Sequence, residues 1–95
     1  MEAFINSVKM ALRISTNAFD SEIYDLIDAG KADLNIPGIN ADESKPLVKR
    51  ALITYCRLNF GQPDDYDRLK ASYDEQKKQL LMCSEYSSDL GDVNG

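Results

Sequence analysis

Residues 46–60 read PLVKRALITYCRLNF, and Gly61 follows directly. Proline is tolerated in the first turn of a helix and glycine commonly follows the last one, so the run has the boundaries of a helix. Its apolar residues recur at intervals of three and four, the spacing of one helix face. That predicted core face consists of Leu47, Val48, Ala51, Leu52, Tyr55 and Leu58. The stretch therefore predicts a core helix that ends near Phe60.

Helical spacing marks three other segments, which predicts four helices in all. The first covers residues 2–13. The second begins at Asp20 or Ser21, both N-cap residue types, and runs to residue 34 before Pro37 and Gly38 stop it. The fourth begins near Asp64.

Apolar stripes on these helices indicate which sides face the core. The stripe of the second helix consists of Ile23, Leu26, Ile27, Gly30 and Leu34. That of the fourth consists of Tyr66, Leu69, Tyr73, Leu80 and Leu81. For the third helix, we expect Asp42 or Ser44 to provide the N-cap.

The rest of the pattern indicates an all-α protein with one small four-helix domain. No segment alternates apolar and polar residues over the length of a strand. Residues 84–95 are rich in Ser, Asp, Gly and Asn, which is typical of a flexible acidic tail. We therefore predict a helical domain at residues 1–83 and a C-terminal tail at residues 84–95.

The composition argues against several classes of function. The chain of 95 residues has 11 basic and 16 acidic side chains, a net charge of −5 that opposes binding to nucleic acid. It contains no histidine, the most common general base and metal ligand, and Cys56 and Cys83 have no metal-binding spacing. We expect no catalytic, metal or cofactor site, no signal peptide and no membrane partner, and folding in a cytoplasm.

The predicted third helix carries two apolar residues on its polar side. Ile53 and Phe60 lie there among Lys49, Arg50 and Arg57. One interpretation is that the helix is central and covered on two sides by its own chain. The other is an intersubunit contact, because residues 20–33 carry five acids and one lysine and would complement a basic surface. On the second interpretation, Asp25 and Asp28 lie on the acidic side of the contact.

Two further functions come from other classes of protein. Asp20-Ser21 at a helix start is similar to the step at which acyl carrier proteins bear their prosthetic arm, although an Asp-Ser pair is also an ordinary N-cap. The basic third helix is compatible with a helix-turn-helix regulator. The acidic whole chain and the apolar Ile53 and Phe60 argue against reading DNA bases.

Taken together, the chain resembles the head-tail connector proteins of long-tailed double-stranded DNA phages and prophages, also called head-completion or DNA-packaging adaptor proteins. The resemblance covers nearly everything before the tail, and it depends on the order and spacing of structural residues. Its markers are the segments ALRI at 11–14, FDSEI at 19–23, AGKADL at 29–34, IPGI at 36–39, PLVKRALITYC at 46–56, NFG at 59–61, and the last helix at 66–81 with Tyr73.

The resemblance implies a structural role without catalysis. Such a protein forms a homo-oligomeric ring, a dodecamer in the virion, beneath the portal protein. It extends the DNA channel and offers a platform to the next head-tail joining or stopper protein. DNA passes through without specific binding. The expected location is the head-tail junction of the virion, after assembly in the host bacterial cytoplasm.

Overall fold

The computed structural model describes residues 2–61 and 63–82. These residues form four helices: α1 at Glu2–Leu12, α2 at Asp20–Asn35, α3 at Pro46–Asn59 and α4 at Tyr66–Met82. No strand occurs in these two ranges. The all-α, four-helix prediction is therefore confirmed. Cys83 and the predicted tail at residues 84–95 lie outside the described residues.

Helix α3 is the centre of the domain, because it packs against each of the other three helices. Its buried residues include Val48, Ala51 and Leu52 of the predicted core face, and also Cys56. Leu47 was also expected in the core, and that expectation was wrong, since its side chain is 39% exposed. Leu47 lies in the first turn of α3, where less of the fold covers it.

Helix α2 approaches α3 closely through Gly30. A Cβ atom at this position would lie 3.1 Å from Leu52 Cδ2 and 3.1 Å from Tyr55 Cδ1. Ile23, Ile27 and Leu34 of the same stripe are fully buried. A glycine inside the helix therefore allows the two backbones to come together over this core face.

A polar contact joins α4 to α2. The hydroxyl of Tyr73 donates a hydrogen bond to Asp33 Oδ2 at 2.6 Å, and Lys77 Nζ lies 3.1 Å from the same oxygen. The ring of Tyr73 packs edge-on against Tyr55, with centroids 5.5 Å apart. Leu69 and Leu80 complete the buried side of α4, whereas Tyr66 and Leu81, which were expected there, are exposed.

Both predicted helix caps were wrong in detail. No side chain caps α2 or α3 by a hydrogen bond. Asp20 instead pairs with Lys9 Nζ at 2.9 Å and so links α2 to α1. Asp42 accepts hydrogen bonds from the backbone and hydroxyl of Ser44 in the preceding turn. In each case the carboxylate has a closer partner than the free backbone amides of the helix.

Candidate interaction surface

The outer side of α3 carries a shallow groove. Its lining residues are Arg50, Ile53, Thr54 and Arg57, and its volume is about 160 Å³. We call it the Arg50–Arg57 groove. The Thr54 hydroxyl is not available at the surface, because it donates a hydrogen bond to the Arg50 carbonyl at 3.0 Å. The groove therefore presents two cations on either side of an apolar floor.

Neither guanidinium group of the groove forms an ion pair with a described carboxylate. Both arginines are exposed, and neither forms an ion pair within 4 Å with any side chain of the described ranges. By contrast, Lys9, Lys31 and Lys77 each form an ion pair with a carboxylate elsewhere in the chain. The hydrogen bond from Arg68 and, to a smaller extent, the charge of Arg57 lower the pKa of Asp65, so the positive charge of the groove is compensated only in part within the domain.

Ile53 and Phe60, both predicted on the outer side of α3, lie in different places. Ile53 is partly buried and packs against the core while it also lines the groove. Phe60 does not project from the outer face of α3, because the helix ends at Asn59 and Phe60 has an extended backbone, with φ −95° and ψ 117°. Its ring packs edge-on against Phe19, with centroids 5.7 Å apart. The helical projection of Phe60 was therefore wrong.

Lys49 lies apart from the groove. It lines another cleft, of about 320 Å³, whose other lining residues come from α1 and from the turn before α3: Ala3, Phe4, Ser7, Glu43 and Ser44. Adjacent residues of a helix point about 100° apart, so Lys49 and Arg50 face different neighbours. The structure brings together three of the predicted basic-side residues, Arg50, Ile53 and Arg57, and separates Lys49 and Phe60 from them.

The acidic candidates are exposed on α2. Asp25 and Asp28 are three residues apart and lie on neighbouring turns, and neither forms an ion pair with a described side chain. Glu22 continues this row one turn earlier, is exposed, and was not among the predicted contact residues. The i, i+3 spacing of three acids was the signal that could have identified it. We call Glu22, Asp25 and Asp28 the acidic face.

Comparison with known proteins gives a match to a family of phage proteins. The sequence model of a family described as phage connector protein matches residues 4–87. The chain belongs to the phage connector family. This confirms the resemblance found in the sequence. No curated protein and no solved structure matches the chain.

Family membership gives this connector a structural role at the junction of phage head and tail, in contact with other head or tail proteins. Burial raises the pKa of the Cys56 thiol to about 12, so the thiolate needed of a nucleophile does not form near neutral pH. In the described ranges no three His, Cys, Asp or Glu side chains cluster as metal ligands would. No described helix is long and apolar enough to cross a membrane.

Proposed function

We propose that this connector assembles into a homo-oligomeric ring in which the Arg50–Arg57 groove of one subunit contacts the acidic face of the next. The observation that carries the proposal is the pair of oppositely charged surfaces on different helices of one subunit, α3 and α2, each without a described ion-pair partner. A contact between two different surfaces is heterologous, and repeated contacts of this kind close into a ring when the rotation between subunits permits.

Charge favours a contact between the two different surfaces over a contact between two copies of either one. Two copies of the Arg50–Arg57 groove would repel each other, and so would two copies of the acidic face. Exposed charges of this kind mainly set the register and rate of association. The apolar contribution would come from Ile53 and from the half-exposed ring of Phe19 beside Phe60. Lys49 and Phe60, which lie outside the groove, remain in the proposal as flanking residues.

The ring would lie under the portal protein and extend the DNA channel, with a downstream head-tail joining or stopper protein on its other side. The family match supports a connector role, and the resemblance of the sequence implies this position and a dodecamer in the virion. The net charge of −5 supports the channel, since an acidic wall repels DNA phosphates and lets packaged DNA pass without being held.

The decisive experiment reverses one charge in the groove. We expect Arg50→Glu to weaken assembly, because it would bring a carboxylate against Asp25 and Asp28 of the neighbour. Lys78→Glu is the matched control, since Lys78 is exposed on α4, away from the groove, and forms no described ion pair. The mass of each variant is measured by light scattering, alone and with its portal protein, and circular dichroism checks that both variants fold.

A charge swap then identifies the partner surface. Asp28→Arg combined with Arg50→Glu restores the attraction across each contact, so the double variant should assemble better than either single variant. If Arg50→Glu assembles as the wild type does, the groove is not the contact. If the wild type forms no ring even on the portal, the proposed function is wrong.

A further inference from the structure

The Arg50–Arg57 groove has a charge pattern that a short peptide could match. Arg50 and Arg57 are seven residues apart on α3, which places them about 10.5 Å apart along the helix axis. Ile53 lies between them and contributes the apolar floor. A peptide that fits this groove needs two carboxylates about 10 Å apart with an apolar side chain between them.

The chain itself contains such a peptide, Asp89-Leu90-Gly91-Asp92. In a polyproline II conformation, with three residues per turn and a rise of about 3.1 Å per residue, the two aspartates would lie on one side of the segment, about 9 Å apart. From residue 79 to residue 95 the sequence has three acids and no lysine or arginine. The segment therefore complements the groove in both charge and spacing.

The segment is also long enough to reach the groove. A link of six residues joins α3 to α4, which pack against each other, and a link this short favours an antiparallel arrangement of two helices. Helix α4 ends at Met82, so Asp89 lies seven residues further along. Seven extended residues cover about 23 Å, whereas the whole of α3, with 14 residues, is about 21 Å long.

We propose that Asp89 and Asp92 of the same chain occupy the Arg50–Arg57 groove before assembly, and that the acidic face of a neighbouring subunit displaces them. Only the second half of this inference rests on the proposed function. The family match ends at residue 87, so Asp89 and Asp92 lie beyond the matched residues.

Such a contact would set a threshold for assembly. A segment tethered by a short linker has an effective concentration in the millimolar range, which exceeds that of free subunits in dilute solution. In a growing ring the acidic face of the neighbouring subunit is also held close to the groove, so its effective concentration is comparable to that of the segment. Exposed ion pairs are screened by salt, so salt would weaken the occupied state.

The test uses nuclear magnetic resonance on the full chain. Asp89→Asn with Asp92→Asn should shift the backbone amides of Ile53 and Thr54 and the side-chain Nε–H signals of both arginines. The matched control is Glu75→Gln, an exposed acid on α4, which should leave those signals in place. Raising the salt concentration from 0.05 to 0.5 M (roughly 14 to 4 Å in screening length) should move the wild-type signals toward those of the double variant.

The outcomes separate this inference from the proposed function. Groove signals that coincide in wild type and double variant overturn it, and so does a difference that grows with protein concentration, which would mean that the segment binds another copy. If the segment fills half of the grooves, the double variant should assemble at a concentration about twofold lower. If the wild type forms rings but the groove signals do not shift in the double variant, only this inference is refuted. If the groove signals shift but no ring forms on the portal, the proposed function is refuted and the contact between the segment and the groove is retained.

Discussion

Replacing Tyr73 by Phe removes the hydrogen bond that joins α4 to Asp33 of α2 and keeps the packing of the ring against Tyr55. A hydrogen bond to a charged group contributes about 1.5–3 kcal/mol when it is well buried. The Asp33 side chain is 35% exposed and keeps Lys77 as a partner, so we expect a lower value, about 1 kcal/mol. For a domain of this size, that corresponds to a decrease in Tm of about 4–8 °C.

The pH dependence gives the prediction its direction. Burial alone would raise the pKa of Asp33, but the hydrogen bonds from Tyr73 and Lys77 outweigh it and hold the pKa below its usual value of 3.8. A carboxylate whose pKa is lowered by folding stabilises the protein above its unfolded pKa, and this stabilisation is lost as the pH falls through its folded pKa. The difference between wild type and Tyr73→Phe should therefore be constant near neutral pH and become smaller below about pH 3.8.

The assay is urea unfolding followed by circular dichroism at pH 7, 5 and 3. Tyr66→Phe is the matched control, because Tyr66 is exposed on the same helix and should lose almost nothing. In a double-mutant cycle with Asp33→Ala, which removes both acceptor oxygens, the effect of Tyr73→Phe should largely disappear. Equal stability of wild type and Tyr73→Phe, or a difference unchanged at pH 3, would refute the reasoning.

Three other residues give shorter predictions. Gly61→Ala should lower the free energy of unfolding, measured by urea titration, by about 1 kcal/mol, because Gly61 has φ +68°. No atom lies within 4 Å of an added Cβ, so the cost comes from backbone strain and not from a clash; equal stability would contradict this. In a Cys83→Ser background, Cys56 should react with a thiol reagent only as fast as the domain unfolds, since it is fully buried; prompt labelling at neutral pH would argue against that burial. Lys9→Met should cost about 1–3 kcal/mol by thermal unfolding, because Asp20 and Asn17 both lose their partner; a gain in stability would mean that the ion pair is not needed.

The periodic part of the fold, with helix bounds correct to within about two residues, could be predicted from the sequence. The caps and the backbone conformation just beyond the helix ends could not. Spacing alone identified Val48, Ala51, Leu52 and Leu58 as core residues of α3, because a buried face repeats with the turn of the helix. Phe60 was misplaced because a helical projection was carried one residue beyond Asn59, where the backbone becomes extended. Periodicity carries no information about the dihedral angles of that residue.

Tertiary partners explain the remaining errors. Asp20 has the side chain of an N-cap, yet it lies beside Lys9, which the sequence places eleven residues away and gives no sign of pairing. The Arg50–Arg57 groove could be predicted because its members share one face of one helix. The different position of Lys49 depended on where α1 and the turn before α3 come to lie, which only the folded chain shows.

Helix α3 serves the interior and the exterior of the domain at once. Val48, Leu52 and Cys56 fill the centre, while Arg50 and Arg57 project from the same 14 residues on the opposite side. The backbone under the groove is therefore held in place by the packed core beneath it, and binding there costs little backbone entropy; the entropy cost falls on the two arginine side chains. Binding at this surface should resemble the meeting of two preformed shapes, and substitutions in the interior would be transmitted outward as changes in recognition.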